Sequence, residues 1–332
     1  MNLIEYVLIV IFLLIGELLY LRAARHFGIV DIPNERSLHT DQTIVRGGGI
    51  VLWLAAAVSV VYSDFEPTCF FVGLSLVALV SFLDDIRGVA WQYRIYAQFV
   101  AVSLLMYQTT NLLPTLWVIL LLVVGVGILN AFNFMDGSNG MTAFYSLITI
   151  GTIWYGQSLY TTASLLLPLT FAALLIFSWF NARQQAICFA GDVGSVSIGF
   201  ICLYVLIEFV KASESYLPAL FLAVYGIDSV LTIGYRLYLG QNIVQAHRLH
   251  LFQRIVYEQQ WPHLLVAASY AFVQLVVNGL VFYALDWSLS AQWVLAVGLL
   301  LVLASGYGLA SQRLTKAQKK SRLSKADSVM LS

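Results

Sequence analysis

The chain has very little charge and very little cysteine for its length. Only 10% of its 332 residues are charged, whereas 60% are hydrophobic. This composition excludes an ordinary soluble domain and is typical of a membrane protein. We therefore expect the chain to lie in a lipid bilayer and to bind no nucleic acid. The cysteines Cys69, Cys188 and Cys202 show neither CxxC spacing nor an even count. A disulfide framework and a zinc site are therefore both disfavoured.

Long apolar runs fill most of the chain. About eleven of them have the length of a membrane-spanning helix, and they lack the alternating pattern of a barrel strand. They cover roughly residues 3–22, 48–63, 67–83, 95–110, 112–131, 141–156, 160–180, 193–210, 216–235, 263–285 and 288–309. Because backbone groups in lipid must bond internally, we expect an all-α integral membrane protein, a polytopic helical bundle. Residues 1–310 would form one transmembrane domain, and residues 311–332 a basic cytoplasmic tail.

The placement of basic residues predicts the orientation. All but Lys211 of the 17 Lys and Arg residues fall on one side of the predicted spans, and basic loops stay in the cytoplasm. Eleven spans then put the N-terminus in the periplasm and the C-terminus in the cytoplasm. The first apolar run lacks a basic leader and a small-residue cleavage site, so we expect it to remain as the first span.

The polar loops with chemically capable residues all fall on the predicted cytoplasmic side. They are DIPNERSLHTDQTIVRGGG (31–49), LDDIRG (83–88), NAFNFMDGSNGMT (130–142), NARQQAICFAGDVGS (181–195) and YRLYLGQNIVQAHRLHLFQRI (235–255). Unpaired Asn and Asp are costly so close to lipid, which means that such groups usually pair, line a wet cavity or bind a ligand. Five such loops on one face of a bundle predict an active site at the cytoplasmic membrane surface.

Carboxylates at the ends of the apolar segments predict a metal site. An acid at a helix N-terminus is stabilised by the helix dipole, and this structural reading explains Asp192 alone. It fails for Asp84 and Asp85, which lie side by side at the negative end of a helix. A divalent cation would relieve their repulsion. Oxygen ligands near a phosphate suit Mg2+, or Mn2+, better than zinc, so we favour a divalent-metal site over a purely structural cluster.

Glycines and basic residues accompany these acids. The glycines lie in loops that enter helices, where backbone amides approach an anion, although small-residue helix packing explains some of them equally well. The glycines are Gly47 to Gly49, Gly137, Gly140, Gly191 and Gly194. The basic residues, which would complement a pyrophosphate, are Arg36, Arg46, Arg248 and Arg254, with His39, His247 and His250.

These motifs, in this order, resemble the polyprenyl-phosphate N-acetylhexosamine-1-phosphate transferase superfamily, especially the bacterial branch that starts O-antigen and related envelope glycans. The pieces that match are PNERSLH and RGGG, LDDIRG, NAFNFMDGSNG, GDVGS, and IDSV followed by HRLHLFQRI. The chain departs from the family pattern at Gly88, where an acid or Asn is common. The segment between Asn181 and the GDVGS motif is also one residue longer than in the family. HRLHL keeps the first and fourth residues of the HxHH motif, as in the O-antigen branch.

The resemblance implies a reaction at the bacterial inner membrane, on its cytoplasmic face. A sugar-1-phosphate would pass from a UDP-N-acetylamino sugar to undecaprenyl phosphate, with release of UMP and with Mg2+ as cofactor. Asp192 and Asn133 would be metal ligands, and Asp136 would lie beside the metal or the nucleotide. Asp84 and Asp85 would handle the lipid phosphate or its proton.

The resemblance also assigns residues to the substrates. His247 and His250 would hold the diphosphate, and Asn139 would lie near the uridine. The other residues predicted to bind substrate are Arg36, His39, Arg46, Gly137, Gly140 and Arg248. The sequence does not choose between GlcNAc, GalNAc, FucNAc and QuiNAc as the sugar, and the loop between Leu237 and Arg254 is where we expect that choice to be made. A homodimer formed through lipid-facing surfaces would leave no sequence label.

Asp228 and the rival functions remain open at this level. Asp228 lies inside the ninth predicted span and matches an acid of related sequences, yet Ser229 or Arg236 could simply satisfy it.

A transporter or flippase with ion-binding acids predicts acids at mid-bilayer and paired broken helices, but here the acids crowd the cytoplasmic ends. An alcohol phosphotransferase would carry a DGxxAR motif that is absent, and the histidine motif disfavours the muramyl-pentapeptide transferase.

Overall fold

The chain folds almost entirely into α-helices. The computed structural model describes residues 1–31, 43–109, 115–160, 164–243, 245 and 247–330. The helices are α1 (Leu3–His26), α2 (Ile50–Tyr62), α3 (Thr68–Arg87), α4 (Trp91–Thr109), α5 (Thr115–Met135), α6 (Met141–Tyr160), α7 (Leu166–Asn181), α8 (Gly191–Ser213), α9 (Ala223–Tyr238), α10 (Leu251–Gln259), α11 (His263–Ala284) and α12 (Leu289–Met330). A 3-10 helix, Leu217–Leu222, leads directly into α9, and the strands are β1 (Val30–Asp31) and β2 (Ile44–Val45).

Each predicted apolar segment overlaps one of these helices, which confirms the all-α polytopic prediction. Within the described residues, seven helical segments are long and apolar enough to cross a membrane. They are Leu3–His26, Thr68–Arg87, Val118–Met135, Gly191–Ser213, Leu217–Tyr238, His263–Ala284 and Leu289–Gln318. The count of eleven spans and the orientation stay predictions. The division after residue 310 also stays a prediction, and α12 continues through it as one helix.

Helix α8 lies at the centre of the bundle and α12 at its edge. Most residues of α8 are buried, and it packs against α2, α3, α5 and α6. Glycines permit this close packing: a Cβ on Gly199 would lie 3.2 Å from Phe132, and a Cβ on Gly73 would lie 2.9 Å from the Phe200 ring. By contrast, α12 exposes Val294 and Val302 among many apolar side chains. The bundle therefore surrounds α8, while Asp192 at its N-terminus stays partly exposed.

A small sheet joins two of the polar loops. Strands β1 and β2 pair antiparallel, with Val30 opposite Val45 and Asp31 opposite Ile44. Val45 also exchanges hydrogen bonds with the segment before α8: its N–H donates to Ile187 O at 3.3 Å, and Phe189 N donates to Val45 O at 2.8 Å. The RGGG segment is thereby held beside the start of α8.

One helical span is broken in its apolar region. Where the 3-10 helix passes into α9, the side chain of Gln274 serves the backbone groups that the break frees. Its Nε2 donates to Leu220 O at 2.9 Å, and its Oε1 accepts from Val224 N at 3.0 Å and from Tyr145 Oη at 2.8 Å. Broken helices are tolerated in lipid only when neighbours satisfy the backbone in this way.

The Asn130 motif is more helical than the sequence indicated. We expected α5 to end near residue 131, but it continues to Met135 and contains Asn130 and Asn133. Asn130 Nδ2 donates to Gln98 Oε1 at 2.7 Å and to Val126 O at 2.8 Å. Since this amide is paired inside the bundle, it does not interrupt the helix.

Candidate active site

Two of the predicted acids share one arginine. Arg94, near the start of α4, places Nη1 2.5 Å from Asp84 Oδ2 and 2.8 Å from Asp192 Oδ2. Asp84 ends α3 and Asp192 begins α8, so this contact brings the ends of three helices together. Asp84 also accepts a hydrogen bond from Val89 N. The repulsion for which we invoked a metal is therefore already relieved in part by Arg94.

Asp85 binds the N-terminus of α8. Its Oδ1 accepts from Asp192 N at 3.0 Å, and its Oδ2 accepts from Val193 N at 3.0 Å. The first amides of a helix carry partial positive charge and lack intrahelical partners, so a carboxylate there stabilises the helix. The sequence predicted that Asp85 handles the lipid phosphate, but both of its oxygens already accept hydrogen bonds from the protein.

Asn133 and Asp136 complete the acidic side of the site. Asn133 Nδ2 donates to Ser195 Oγ at 3.3 Å and lies within hydrogen-bonding reach of Asp192. Asp136, just beyond α5, accepts from Thr142 Oγ1 at 2.6 Å. Burial raises the pKa of Asp136 to about 8, against the lowering effect of that hydrogen bond, and the charges of Asp192 and Asp85 act in the same direction as burial.

Glycines let two backbones touch beneath these acids. A Cβ on Gly49 would lie 2.3 Å from the Gly194 Cα, and a Cβ on Gly191 would lie 2.6 Å from Asp85 Oδ2. Gly191 also has φ +70°, which a residue with a side chain rarely adopts. For Gly49, Gly191 and Gly194, close packing is sufficient to explain the glycine.

The turn between α5 and α6 is fastened to the loop before α8. Asn139 Nδ2 donates to Arg183 O at 2.9 Å and to Gln184 O at 3.2 Å. Asn181 accepts from Gly140 N at 2.9 Å and donates to Cys188 O at 2.9 Å. Asn181, to which we assigned no role from the sequence, thus braces the turn. The roles of Asn139 near the uridine and of Gly140 in substrate binding stay predictions.

The histidine motif packs against this same segment. The ring of His250 stacks on Phe134 with a centroid distance of 5.9 Å, and the ring of His247 lies 4.9 Å from that of His250. Gly137 lies against the residues that follow, because a Cβ there would be 3.2 Å from the Phe252 ring. Residues 133–137 therefore join the acidic cluster to the histidines.

The predicted basic residues are distributed less tightly. Arg46 pairs with Asp31 at 3.1 Å. Burial raises the pKa of Asp85 and of Asp136, and the positive charge of Arg46 acts against that rise. The guanidinium of Arg248 lies over the Tyr257 ring, 4.2 Å from its centroid. Arg36 and His39 lie outside the described residues. The substrate-binding roles of all these residues, and of Gly137, stay predictions.

Asp228 is satisfied, but not by the predicted neighbours. Ser229 Oγ is buried without a hydrogen-bond partner. Arg236 instead donates to the loop that follows α9, with Ile243 O at 3.0 Å among its acceptors. The donors to Asp228 are Thr232, His250, Leu251 and Tyr270. The acid therefore ties α9 to the histidine motif and to α11.

The donor set fits Mg2+ only with help from a substrate. Nowhere in the described ranges do three or more His, Cys, Asp or Glu side chains lie close enough together to hold a metal ion. Asp84 and Asp192 nevertheless lie close enough to share one guanidinium nitrogen, and the Asn133 amide is beside them. Mg2+ in phosphate chemistry commonly takes one or two carboxylates, several waters and substrate oxygens. The residues present fit such a site and do not form a closed protein cage.

Sequence reasoning missed Arg94 as a member of the site. It was counted only among the cytoplasmic basic residues, although one signal was present: it follows Asp84 across a short turn that contains Gly88. Because α3 and α4 are antiparallel neighbours, a basic residue in the first turn of α4 faces the last turn of α3. The pairing with Asp192, 98 residues away, had no local signal.

Comparison with known proteins supports the reading of these motifs. Residues 67–210 match the family described as Glycosyl transferase family 4. The matched region runs from α3 to α8 and contains the acidic cluster, whereas the histidine motif lies beyond it.

Curated relatives extend the likeness over more of the chain. It is 26% identical over 262 residues, 71% of the chain and 72% of the relative, to the probable undecaprenyl-phosphate N-acetylglucosaminyl 1-phosphate transferase of Bacillus subtilis. It is 25% identical over 337 residues to the undecaprenyl-phosphate alpha-N-acetylglucosaminyl 1-phosphate transferase of Yersinia pestis, covering 89% of the chain and 90% of the relative. It is 31% identical over 198 residues, 53% of the chain, to the phospho-N-acetylmuramoyl-pentapeptide-transferase of Dictyoglomus turgidum, of which it spans 63%.

Proposed function

The chain belongs to the glycosyl transferase family 4 superfamily of polyprenyl-phosphate sugar-1-phosphate transferases, and from this membership we propose its reaction. It transfers an N-acetylamino-sugar-1-phosphate from a UDP-sugar to undecaprenyl phosphate. UMP is released, and the lipid-diphospho-sugar product starts O-antigen or a related envelope glycan. The enzyme works at the cytoplasmic face of the bacterial inner membrane.

The observation that carries this proposal is the meeting of Asp84 and Asp192 at Arg94. Acids from two distant motifs, with an arginine between them, form one charged centre at the ends of α3, α4 and α8. A pyrophosphate substrate brings several negative charges, and such a centre supplies both a cation and carboxylates able to hold another cation.

The chemistry is an in-line displacement at phosphorus. An oxygen of the lipid phosphate attacks the sugar-bound phosphorus of the UDP-sugar, the bond from that phosphorus to the UMP oxygen breaks, and UMP leaves with the electron pair. A phosphate monoester loses its second proton near pH 6, so the acceptor is largely ionised already and positioning matters more than a general base. Asp192 and Asn133, with Asp84 beside them, would hold Mg2+, which would supply positive charge to the pyrophosphate.

The remaining residues hold the substrates. Asp85 fixes the N-terminus of α8, and thereby the position of Asp192, through the two hydrogen bonds that it accepts. The segment of Asp136, Asn139 and Gly140 lies beside the nucleotide, and the histidine motif lies beside the diphosphate. Arg46 and Arg248 add positive charge at the rim.

UMP release by purified protein in detergent tests this function. The assay contains undecaprenyl phosphate, Mg2+ and a panel of UDP-GlcNAc, UDP-GalNAc, UDP-FucNAc, UDP-QuiNAc and UDP-MurNAc-pentapeptide. We expect one sugar to support metal-dependent release, which Asp192→Asn abolishes. Asp64→Asn, at an exposed residue of positive φ that asparagine also tolerates, is the matched control and retains activity. Silence across the panel, with folded protein, would contradict the proposal.

A further inference from the structure

Asp228 is a buried hub of hydrogen bonds. Its Oδ1 accepts from Thr232 Oγ1, from His250 Nδ1 and from Leu251 N, each at 3.1 Å, and its Oδ2 accepts from Tyr270 Oη at 2.6 Å. Asp228 is 2% exposed, as is His250. A carboxylate that accepts from so many donors requires the facing imidazole nitrogen to carry its proton. His250 is therefore fixed as the tautomer with hydrogen on Nδ1.

The other nitrogen of His250 faces the interior. His250 Nε2 is buried and has no hydrogen-bond partner in the described structure. The ring is enclosed by Phe134, with a centroid distance of 5.9 Å, and by Phe252, at 6.1 Å. Nε2 is thus buried between two apolar rings, where a charged phosphate oxygen would lose its hydration, so the diphosphate does not bind at this nitrogen.

His247 has the opposite character. Its Nδ1 accepts a hydrogen bond from Leu249 N at 3.2 Å, which leaves the proton on Nε2. The residue is only partly buried, and its ring lies 4.9 Å from that of His250. Burial is the main cause that lowers the pKa of His247 to about 4, and the positive charge of Arg236 acts in the same direction. At neutral pH the ring thus presents an uncharged N–H donor.

We propose that the two histidines have different jobs: His247 donates its Nε2–H to the diphosphate, whereas His250 is a positioning residue that Asp228 holds in place. This inference rests on the proposed function. It assigns contact with the diphosphate to His247 alone, whereas the family resemblance implied that both histidines hold it. His250 acts through its neighbours. It is the residue that precedes α10, and the first amide of that helix, Leu251 N, donates to the same Asp228 carboxylate. Its ring also supports both His247 and Phe134 by contact.

Crossed amide substitutions separate these jobs, because the asparagine amide reproduces the Nδ1 position of histidine and the glutamine amide the Nε2 position. For His250, which needs a donor at Nδ1, we expect His250→Asn to keep at least about tenfold more kcat/KM than His250→Gln. For His247, which needs a donor at Nε2, we expect His247→Gln to keep more kcat/KM than His247→Asn. His247→Asn should raise KM for the UDP-sugar more than it lowers kcat. UDP binding by calorimetry should weaken in His247→Asn by about tenfold or more.

The outcome that overturns the inference is the same order of amides at both positions, or His250→Gln outperforming His250→Asn. Nitrogen-15 NMR of imidazole-labelled protein tests it without any variant: His250 should show a protonated Nδ1 and His247 a protonated Nε2, and the opposite assignment for His250 refutes the proposal. If no donor sugar yields UMP, the proposed function fails. The tautomers and UDP binding would still decide the division between the histidines.

Discussion

Arg94 Nη1 lies 2.8 Å from Asp192 Oδ2, although 98 residues separate the two in the chain. The same nitrogen lies 2.5 Å from Asp84. One guanidinium therefore sets the spacing between the end of α3 and the start of α8. The geometry of the acidic cluster depends on a residue outside its sequence motifs.

Replacing Arg94 should impair catalysis more than stability. In Arg94→Gln the carboxylates of Asp84 and Asp192 lose their shared cation and move apart, so we expect UMP release to fall on the order of 10- to 100-fold. Arg87→Gln, at an exposed arginine in the last turn of α3, is the control and should stay near the wild-type rate. Equal losses in both variants would mean that only the general positive charge of this surface matters.

A methyl group at the glycine crossing should destabilise the fold. In Gly49→Ala the new Cβ would meet the Gly194 Cα at 2.3 Å, so the backbones must separate, at a cost of about 1–3 kcal/mol or more. Thermal unfolding in detergent should show a lower midpoint. In Gly127→Ala, where nothing lies within 4 Å of the new Cβ, the midpoint should hold or rise. An unchanged midpoint in Gly49→Ala would contradict the close backbone contact.

Gln274 should be necessary for the broken helix. Gln274→Leu leaves Leu220 O and Val224 N without their side-chain partner in an apolar interior, and we expect a loss of at least about 2 kcal/mol of folding free energy. Val276→Leu, at an exposed position of the same helix, is the matched control. If the two variants unfold alike, the break does not depend on this amide.

Asp136 should make stability fall as the pH rises. Its folded-state pKa of about 8 lies above that of an exposed carboxyl, so the folded chain holds this proton more tightly than the unfolded chain. The corresponding stability is complete below about pH 4 and is lost as the pH rises through about 8. Asp136→Asn keeps an acceptor for Thr142 and removes the titration. Thermal unfolding midpoints measured in EDTA should therefore decline more steeply between pH 5 and pH 9 in the wild type than in Asp136→Asn. Parallel pH profiles of the two proteins would refute this.

Local features of the chain could be predicted from sequence, and long-range pairings could not. Apolar length located every predicted helix, and polar composition located the loops that carry Asp84, Asp136 and Asp192. The end of α5 was less accurate: the apolar run stops near residue 131, but Asn130 pairs with Gln98 inside the bundle and the helix continues to Met135. The donors to Asp228 were also wrong in the sequence analysis, since Tyr270 and His250 reach it from other elements.

The same limit applies to the role of single residues. Asp84 and Asp85 are adjacent and chemically identical, so we predicted one shared function for them from the sequence. The structure separates them: Asp85 binds backbone amides of α8, whereas Asp84 pairs with Arg94. Which carboxylate meets a backbone and which meets a cation depends on the direction of each side chain at the end of α3.

The contact between Asp85 and α8 also constrains the order of biogenesis. The amides that satisfy this carboxylate come from Asp192 and Val193, which lie 107 and 108 residues later in the chain. While α4 to α7 are being synthesised, the carboxylate of Asp85 has to wait with these bonds unmade. The acidic cluster can form only after α8 has been made and has packed between helices that precede it in the chain.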